Sequence, residues 1–193
     1  MNETLTDLLN KVFSILSIVS IIFSLIIITI FIIRSPKNNI VINTKNILIE
    51  YNILFAWTIA SLASIGSLFY SEISGFVPCT YCWYERIAMY PLVIILGVGL
   101  IIKNNQSWLF GLPLSVIGLL ITIYHYQLQI FPNQSSFSCS TEVSCTGTWI
   151  MEFGFVTMPF MALSTFLLIS VLLLLPNIKK LKSVRINNQI RRI

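Results

Sequence analysis

Charged side chains are what this sequence has least of: they make up 10% of its 193 residues, where a soluble domain carries about 25%. With 56% hydrophobic residues and a mean hydropathy of +0.86, that scarcity excludes a water-soluble globular domain and makes a bilayer the solvent. Apolar/polar alternation is also lacking, so the long apolar runs are helices and not barrel strands. No run contains the paired acidic or histidine residues of an ion path, which weakens the non-enzymatic alternative of a transporter or metal-binding subunit. Internal repeats and low-complexity linkers are absent, which leaves one domain. The formal charge of +5 encodes membrane orientation in such a chain and gives no reason to expect nucleic acid as a partner.

What is there is a set of five runs of membrane-crossing length: Val12 to Ile33, Tyr51 to Tyr70, Ile87 to Ile102 (extended by Trp83 and Tyr84 as interfacial aromatics), Trp108 to Ile130 and Phe153 to Leu175. Arg34, Lys37 and Lys45 follow the first run, Lys103 the third, and Lys179, Lys180, Lys182, Arg185, Arg191 and Arg192 the fifth. Only Lys11 and Arg86 fall on the other side, so the basic side is cytoplasmic and the N-terminus is outside. The first run could instead be a cleaved signal peptide. Against that, Glu3 and Asp7 precede it where basic residues belong, it exceeds the usual signal length, and Arg34-Ser35-Pro36 is a poor cleavage site.

The four cysteines form two close pairs, Cys79 with Cys82 and Cys139 with Cys145, in the two loops that this orientation places outside. A C-x-x-C at a helix start can close a small, readily reduced ring, and the helix N-terminus and a nearby cation favour its thiolate. Arg86 stands four residues after Cys82, on the same helical face, placed to stabilise that thiolate or a negative charge developing on a bound acceptor. Its plainer role is an interfacial arginine snorkelling beside Glu85. The second pair lies in a polar loop from Ile130 to Phe153, either as a static staple or as a mobile partner in thiol–disulfide exchange. A four-cysteine zinc site is a further alternative, disfavoured in an oxidising compartment. His125, near the outer end of the fourth run, is either a packing residue or a donor to a bound quinone.

The stretch Cys79-Thr80-Tyr81-Cys82-Trp83-Tyr84-Glu85-Arg86 resembles the C-x-x-C-x-Tyr-Glu/Gln-Arg motif of the DsbB and BdbC disulfide-bond formation proteins. Tyr124-His125 followed by Leu128-Gln129, and Phe153-Gly154-Phe155-Val156-Thr157-Met158-Pro159, are similar to the ends of two further helices of that family. The resemblance runs from about Tyr51 to Leu175. It implies an all-α integral membrane protein: a DsbB-like four-helix transmembrane bundle over residues 47–178. An extra N-terminal transmembrane helix and basic cytoplasmic loop would occupy residues 1–46, and a basic cytoplasmic tail residues 179–193.

It also implies a function. The chain would reoxidise a DsbA- or BdbD-like thioredoxin-fold thiol oxidase outside the bacterial cytoplasmic membrane and pass the electrons to a membrane quinone, menaquinone or ubiquinone. By position, Cys79 and Cys82 match the quinone-proximal disulfide, Cys82 being the thiolate that faces the ring. Cys139 matches the cysteine that the partner attacks, Cys145 its bonded mate, and Arg86 the arginine beside the quinone; no metal is implied. Two features depart from the pattern: the additional first span, and a second cysteine pair with only five residues between its members. A VKOR-like quinone-linked oxidoreductase is the enzymatic alternative, although there the loop pair precedes the C-x-x-C.

Overall fold

A computed structural model describes residues 2–32, 39–104, 106–133, 139 and 144–178. The basic residues Arg34 and Lys37 and the tail 179–193 lie outside the described residues, as does much of the second cysteine loop. Six helices follow one another: α1 (Asn2–Ile32), α2 (Asn39–Glu50), α3 (Asn52–Glu72), α4 (Thr80–Ile101), α5 (Trp108–Ile130) and α6 (Met158–Leu174), the last closing in a 3-10 turn at Leu175–Asn177. All but α2 are long and apolar enough to cross a bilayer. At 21 to 31 residues, α1, α3, α4 and α5 match the roughly 20 residues needed, and α6 reaches that length with its 3-10 turn. The chain is therefore a multi-pass helical membrane protein, as its composition requires.

Helices α3, α4, α5 and α6 form a four-helix bundle in which α4 packs between α3 and α5, and α6 closes the ring against both. Its centre is a cluster of Leu92, Leu96, Phe166, Ile169, Leu172 and Leu173. Lipid tails are as apolar as leucine, so close fit holds such helices together, and small residues permit that fit. Gly118 of α5 faces the Phe166 ring so closely that a Cβ there would overlap it.

The extra helix α1 lies outside this ring, against α6. Its buried face is a stripe of Ser14, Ser17, Ser24 and Ile27, at the three-and-four spacing of a single helical face. Two of the serines return their hydroxyls to α1's own carbonyls, Ser17 to Ser14 and Ser24 to Ser20, so they act as small residues that let the helices approach. Ser20 donates across to the Ser164 carbonyl at 3.1 Å. Such an interhelical bond is worth about 0.6 kcal/mol on average, so packing does most of the docking.

Two elements differ from the sequence expectation. Helix α2 occupies a stretch that reads as a loop because its 12 residues cannot span and mix Asn and Lys with Ile and Leu. It runs through position 47, buries Leu48 and places Lys45 over the Phe31 ring at 5.0 Å. The last transmembrane helix starts at Met158 and not at Phe153. Phe153 and Gly154 both have positive φ, 52° and 78°, and Glu152 pairs with Val156 as an isolated bridge, so the backbone turns there before Pro159 begins the helix.

Candidate functional site

Gly75, at φ 71°, turns the chain out of α3, and Cys79 then forms the N-cap of α4. Its sulfur accepts the Cys82 backbone N–H at 3.3 Å, satisfying one of the orphan donors of that helix end. One turn on, the Cys82 sulfur lies 2.9 Å from that of Cys79, and the two cysteines are free thiols. Cys139 and Cys145 are joined as a disulfide. Both pairs belong to one cluster with Tyr81 and Leu128: Cys79 and Cys145 are buried in it, and Cys82 and Cys139 pack against it. Residues 60 positions apart thus meet in one centre, with the Cys79–Cys82 pair beside the Cys139–Cys145 disulfide. Cys139 and Cys145 being bonded to each other, they do not join the inner pair in a four-thiolate cage.

His125 joins this centre from α5. Its Nε2 lies 3.5 Å from the Cys79 sulfur, and its Nδ1 is 2.7 Å from Glu85 Oε1. The Tyr81 ring lies 5.7 Å from the imidazole. Cys79, His125 and Glu85 form a chain in which the carboxylate fixes the imidazole and the imidazole can take or hold the thiol proton. The hydrogen bond from Cys82, then the contact with His125, hold the Cys79 thiol down at about 4, against an ordinary value near 9. The contact with His125 therefore favours the thiolate form of Cys79. The sulfurs of Cys79 and Cys82 and an His125 nitrogen lie within 4.8 Å of one another, a set that could also grip a soft metal ion.

The other side of the pair opens on a cavity of about 380 Å³ inside the membrane region, within the size range of small-molecule sites. Cys82, Glu85 and Arg86 line it; Cys79 and His125 are not among its lining residues. Arg86 is not snorkelling to the surface. It is 9% exposed, donates through Nε to the Ser67 hydroxyl and through a terminal nitrogen to the Ser67 carbonyl, both at 2.9 Å, and lies 5.3 Å from the Trp83 ring. Above it a stack of aromatic rings closes the outer end, Tyr70 on Phe76 at 5.8 Å and Phe76 on Trp149 at 5.1 Å. Tyr70 and Tyr90 line the cavity, and their buried hydroxyls have no partner among the described residues. A buried donor without an acceptor costs about 1–3 kcal/mol, so this cavity suits a ligand with carbonyl oxygens.

Comparison with known proteins agrees with this geometry. The family description "Disulfide bond formation protein DsbB" matches residues 50–176, about two thirds of the chain. The chain belongs to the DsbB family. It is 42% identical over 134 residues to "Probable disulfide formation protein C 2" of Bacillus anthracis, covering 69% of this chain and 96% of that one. It is 44% identical over 121 residues to "Disulfide bond formation protein C" of Bacillus subtilis (strain 168), covering 62% and 88%. A "Probable disulfide formation protein" of Oceanobacillus iheyensis is 49% identical over 129 residues, covering 65% and 88%. No solved structure gives a significant match. As a DsbB-family protein the chain is a membrane oxidoreductase of disulfide bond formation, a thiol oxidase with a thiol–disulfide partner protein. The family match starts at residue 50, so α1 and nearly all of α2 lie outside it.

The structure brings Cys79, Cys82, Arg86, His125 and Cys145 around one centre, with Cys139 beside them. Sequence reasoning missed Glu85 as the partner of His125, Ser67 as the seat of Arg86, and the Tyr70, Phe76 and Trp149 stack. Glu85 did carry a signal: it is an ionisable side chain inside an apolar helix, and such residues need a reason to be there.

Proposed function

We propose that this protein reoxidises a DsbA-like thioredoxin-fold dithiol protein outside the bacterial cytoplasmic membrane and delivers the electrons to a membrane quinone. The observation that carries this reading is the two-sided position of the Cys79–Cys82 pair, with a disulfide packed on one side and a cavity containing Arg86 on the other. The outside location of the cysteines is supported by the loop charges, ten of the twelve basic residues falling on the opposite side.

In the exchange half, the partner's thiolate attacks the Cys139 sulfur and Cys145 leaves as a thiolate. Cys145 attacks Cys79 in the oxidised inner pair, and the bonding electrons leave on Cys82. The partner's second thiol then releases itself from Cys139 as an oxidised disulfide, and Cys139 re-forms its bond to Cys145, freeing Cys79. Each transfer conserves one disulfide, and the result is an oxidised partner and a reduced inner pair. His125, fixed by Glu85, sits where it can manage the Cys79 proton.

The cavity residues would hold the quinone as their chemistry allows: Arg86, Tyr70 and Tyr90 offer donors to its oxygens, and Cys82 lines the same wall. When bound, a quinone supplies an acceptor for two electrons and two protons as the Cys79–Cys82 bond forms again. Menaquinone and ubiquinone share this chemistry.

The test mixes purified protein with a reduced thioredoxin-fold dithiol partner and excess quinone under argon. Quinone loss is followed in the ultraviolet and partner disulfide by thiol titration. One quinone should be reduced per disulfide formed, and Cys82→Ser should abolish the reaction. Partner oxidation without quinone consumption would overturn the quinone reading. A zinc site at Cys79, Cys82 and His125 is the second reading that the ligand spacing favours. It requires about one metal ion per chain in protein purified without chelator.

A further inference from the structure

The cavity beside Cys82 has a wall that the DsbB family match does not include. Its lining draws on α3, α4 and α6 of the bundle and also on α1, through Phe13, Leu16, Ser17, Val19, Ser20 and Phe23. In each helix the lining residues cover a similar length: Phe13 to Phe23 in α1, Ile59 to Tyr70 in α3, Cys82 to Tyr90 in α4 and Met158 to Leu168 in α6. At 1.5 Å per residue this makes the cavity about 15 Å deep, roughly half the hydrocarbon thickness. Its two ends differ. The outer end holds the polar groups, Cys82, Glu85 and Arg86. There α1 meets α3 and the turn that follows it, with the Phe13 and Tyr70 rings 5.9 Å apart and the Thr6 and Ser74 hydroxyls 3.2 Å apart. Below that end the lining is largely apolar, with Tyr90 among the exceptions, and on the facing helices Val19 of α1 and Leu62 of α3 are each more than half exposed. The seam between α1 and α3 is thus closed at the outer surface and open toward lipid below it.

We infer that α1 is a binding element of the acceptor site: it forms the wall along which the isoprenoid chain of the quinone lies, and the α1/α3 seam is where that chain leaves for the bilayer. The inference rests on the quinone reading above and adds what the bundle alone lacks. A polar ring held near Arg86 must send its chain inward, and among the described lining residues an outward-open apolar face at that depth is found where α1 stands against α3. α1 is held for this task by its packing on α6, through the serine stripe and the Ser20–Ser164 bond at the edge of the cavity.

The test uses full-length protein in nanodiscs of defined phospholipid and measures equilibrium binding of two quinones with the same ring, one carrying a long isoprenoid chain and one carrying none. Val19→Trp and Leu62→Trp narrow the seam from its two sides at positions already facing lipid, so neither disturbs a packed core. Each should weaken the chain-bearing quinone about tenfold, the size of an overpacking clash, and leave the chainless quinone within about twofold. Ile22→Trp, on α1 but off the cavity and equally exposed, should change neither. A photoactivatable group on the chain should label peptides of α1 and α3. Unchanged binding of both quinones in Val19→Trp and Leu62→Trp, or chain labelling confined to α5 and α6, would overturn the role of α1 while leaving the quinone reading intact. Native mass spectrometry showing a phospholipid that saturating quinone does not displace would overturn it as well, assigning the groove to an acyl chain. Absence of binding of either quinone to the unsubstituted protein would instead sink the quinone reading itself.

Discussion

The two sides of the Cys79–Cys82 pair are built differently. On the outer side the contacts come from a polar loop: Cys139 and Cys145 reach the pair on a segment tied to the bundle by Gln129 donating to the Gly147 carbonyl and Tyr126 donating to that of Phe155. On the inner side the charged groups stand on a transmembrane helix and are fixed there, Arg86 by Ser67 and Glu85 by His125. The difference matches two chemical demands. Thiol–disulfide exchange needs an attacking sulfur to approach in line from outside the helices, so its components belong where a partner protein can reach them. Electron transfer to a small acceptor gains from donors that are already in position, so its components belong on rigid elements.

The largest effect should come from cutting the outer side. In Cys145→Ser, the partner bound at Cys139 has no intramolecular route onward, so a mixed disulfide should accumulate and turnover should stop. Non-reducing electrophoresis with a reduced thioredoxin-fold partner would show the adduct. Quinone binding should be untouched, because neither residue lines the cavity. An adduct that forms only when Cys79 is present would reverse the order of the two pairs and end the comparison as drawn.

A smaller effect is expected from the inner side. Arg86→Lys keeps the charge but loses the planar fork that engages Ser67 through two nitrogens, so quinone affinity should fall about tenfold. Exchange with the partner should proceed at its usual rate in a single turnover without quinone. Equal quinone affinity in the wild type, Arg86→Lys and Arg86→Gln would remove the arginine from the acceptor site.

Between the two sides stands Cys79, and pH separates its contributions. Its thiol is held at about 4, below the ordinary value near 9, by the hydrogen bond from Cys82 and then by His125. A depressed thiol stays ionised from alkaline pH down to its shifted value and is protonated only below it. Alkylation of the fully reduced chain at Cys79 should therefore remain fast through pH 6 and fall as pH drops toward 4. His125→Gln removes one of the stabilising contacts, so the half-point should move upward. A half-point near 9 in the wild type would mean that the contacts to Cys82 and His125 do not stabilise the anion.

How far the sequence announces all this depends on the range of the contact involved. The five spans follow from uninterrupted apolar length, and the placing of Arg86 on the Cys82 face follows from a four-residue spacing, both local properties. The Glu85–His125 contact joins residues 40 positions apart, and the Arg86–Ser67 bond joins two helices; each depends on how α4 rotates against its neighbours, which no local pattern encodes. Helix α2 escaped for a different reason, being too short to span and too mixed in composition to read as amphipathic. The role of α1 was invisible because a helix facing lipid and a helix facing a cavity carry the same apolar residues.

The finest distinction within the inner side concerns how rigidly Arg86 is held. Ser67 contributes two acceptors, its hydroxyl to Nε and its carbonyl to a terminal nitrogen. Ser67→Ala removes only the first. A hydrogen bond to a charged group contributes about 1.5–3 kcal/mol where its loss strands the charge, but here the carbonyl bond and the Trp83 ring remain. The guanidinium should stay in place with more freedom, so quinone affinity should fall only about threefold, well short of the Arg86→Lys effect. Ser67→Thr restores a hydroxyl at the same position and should recover most of the loss. That recovery is the informative part, because a general loosening of α3 would not be repaired by a bulkier β-branched residue. If Ser67→Ala and Ser67→Thr weaken binding equally, the hydroxyl is incidental and Arg86 is positioned by the backbone carbonyl alone.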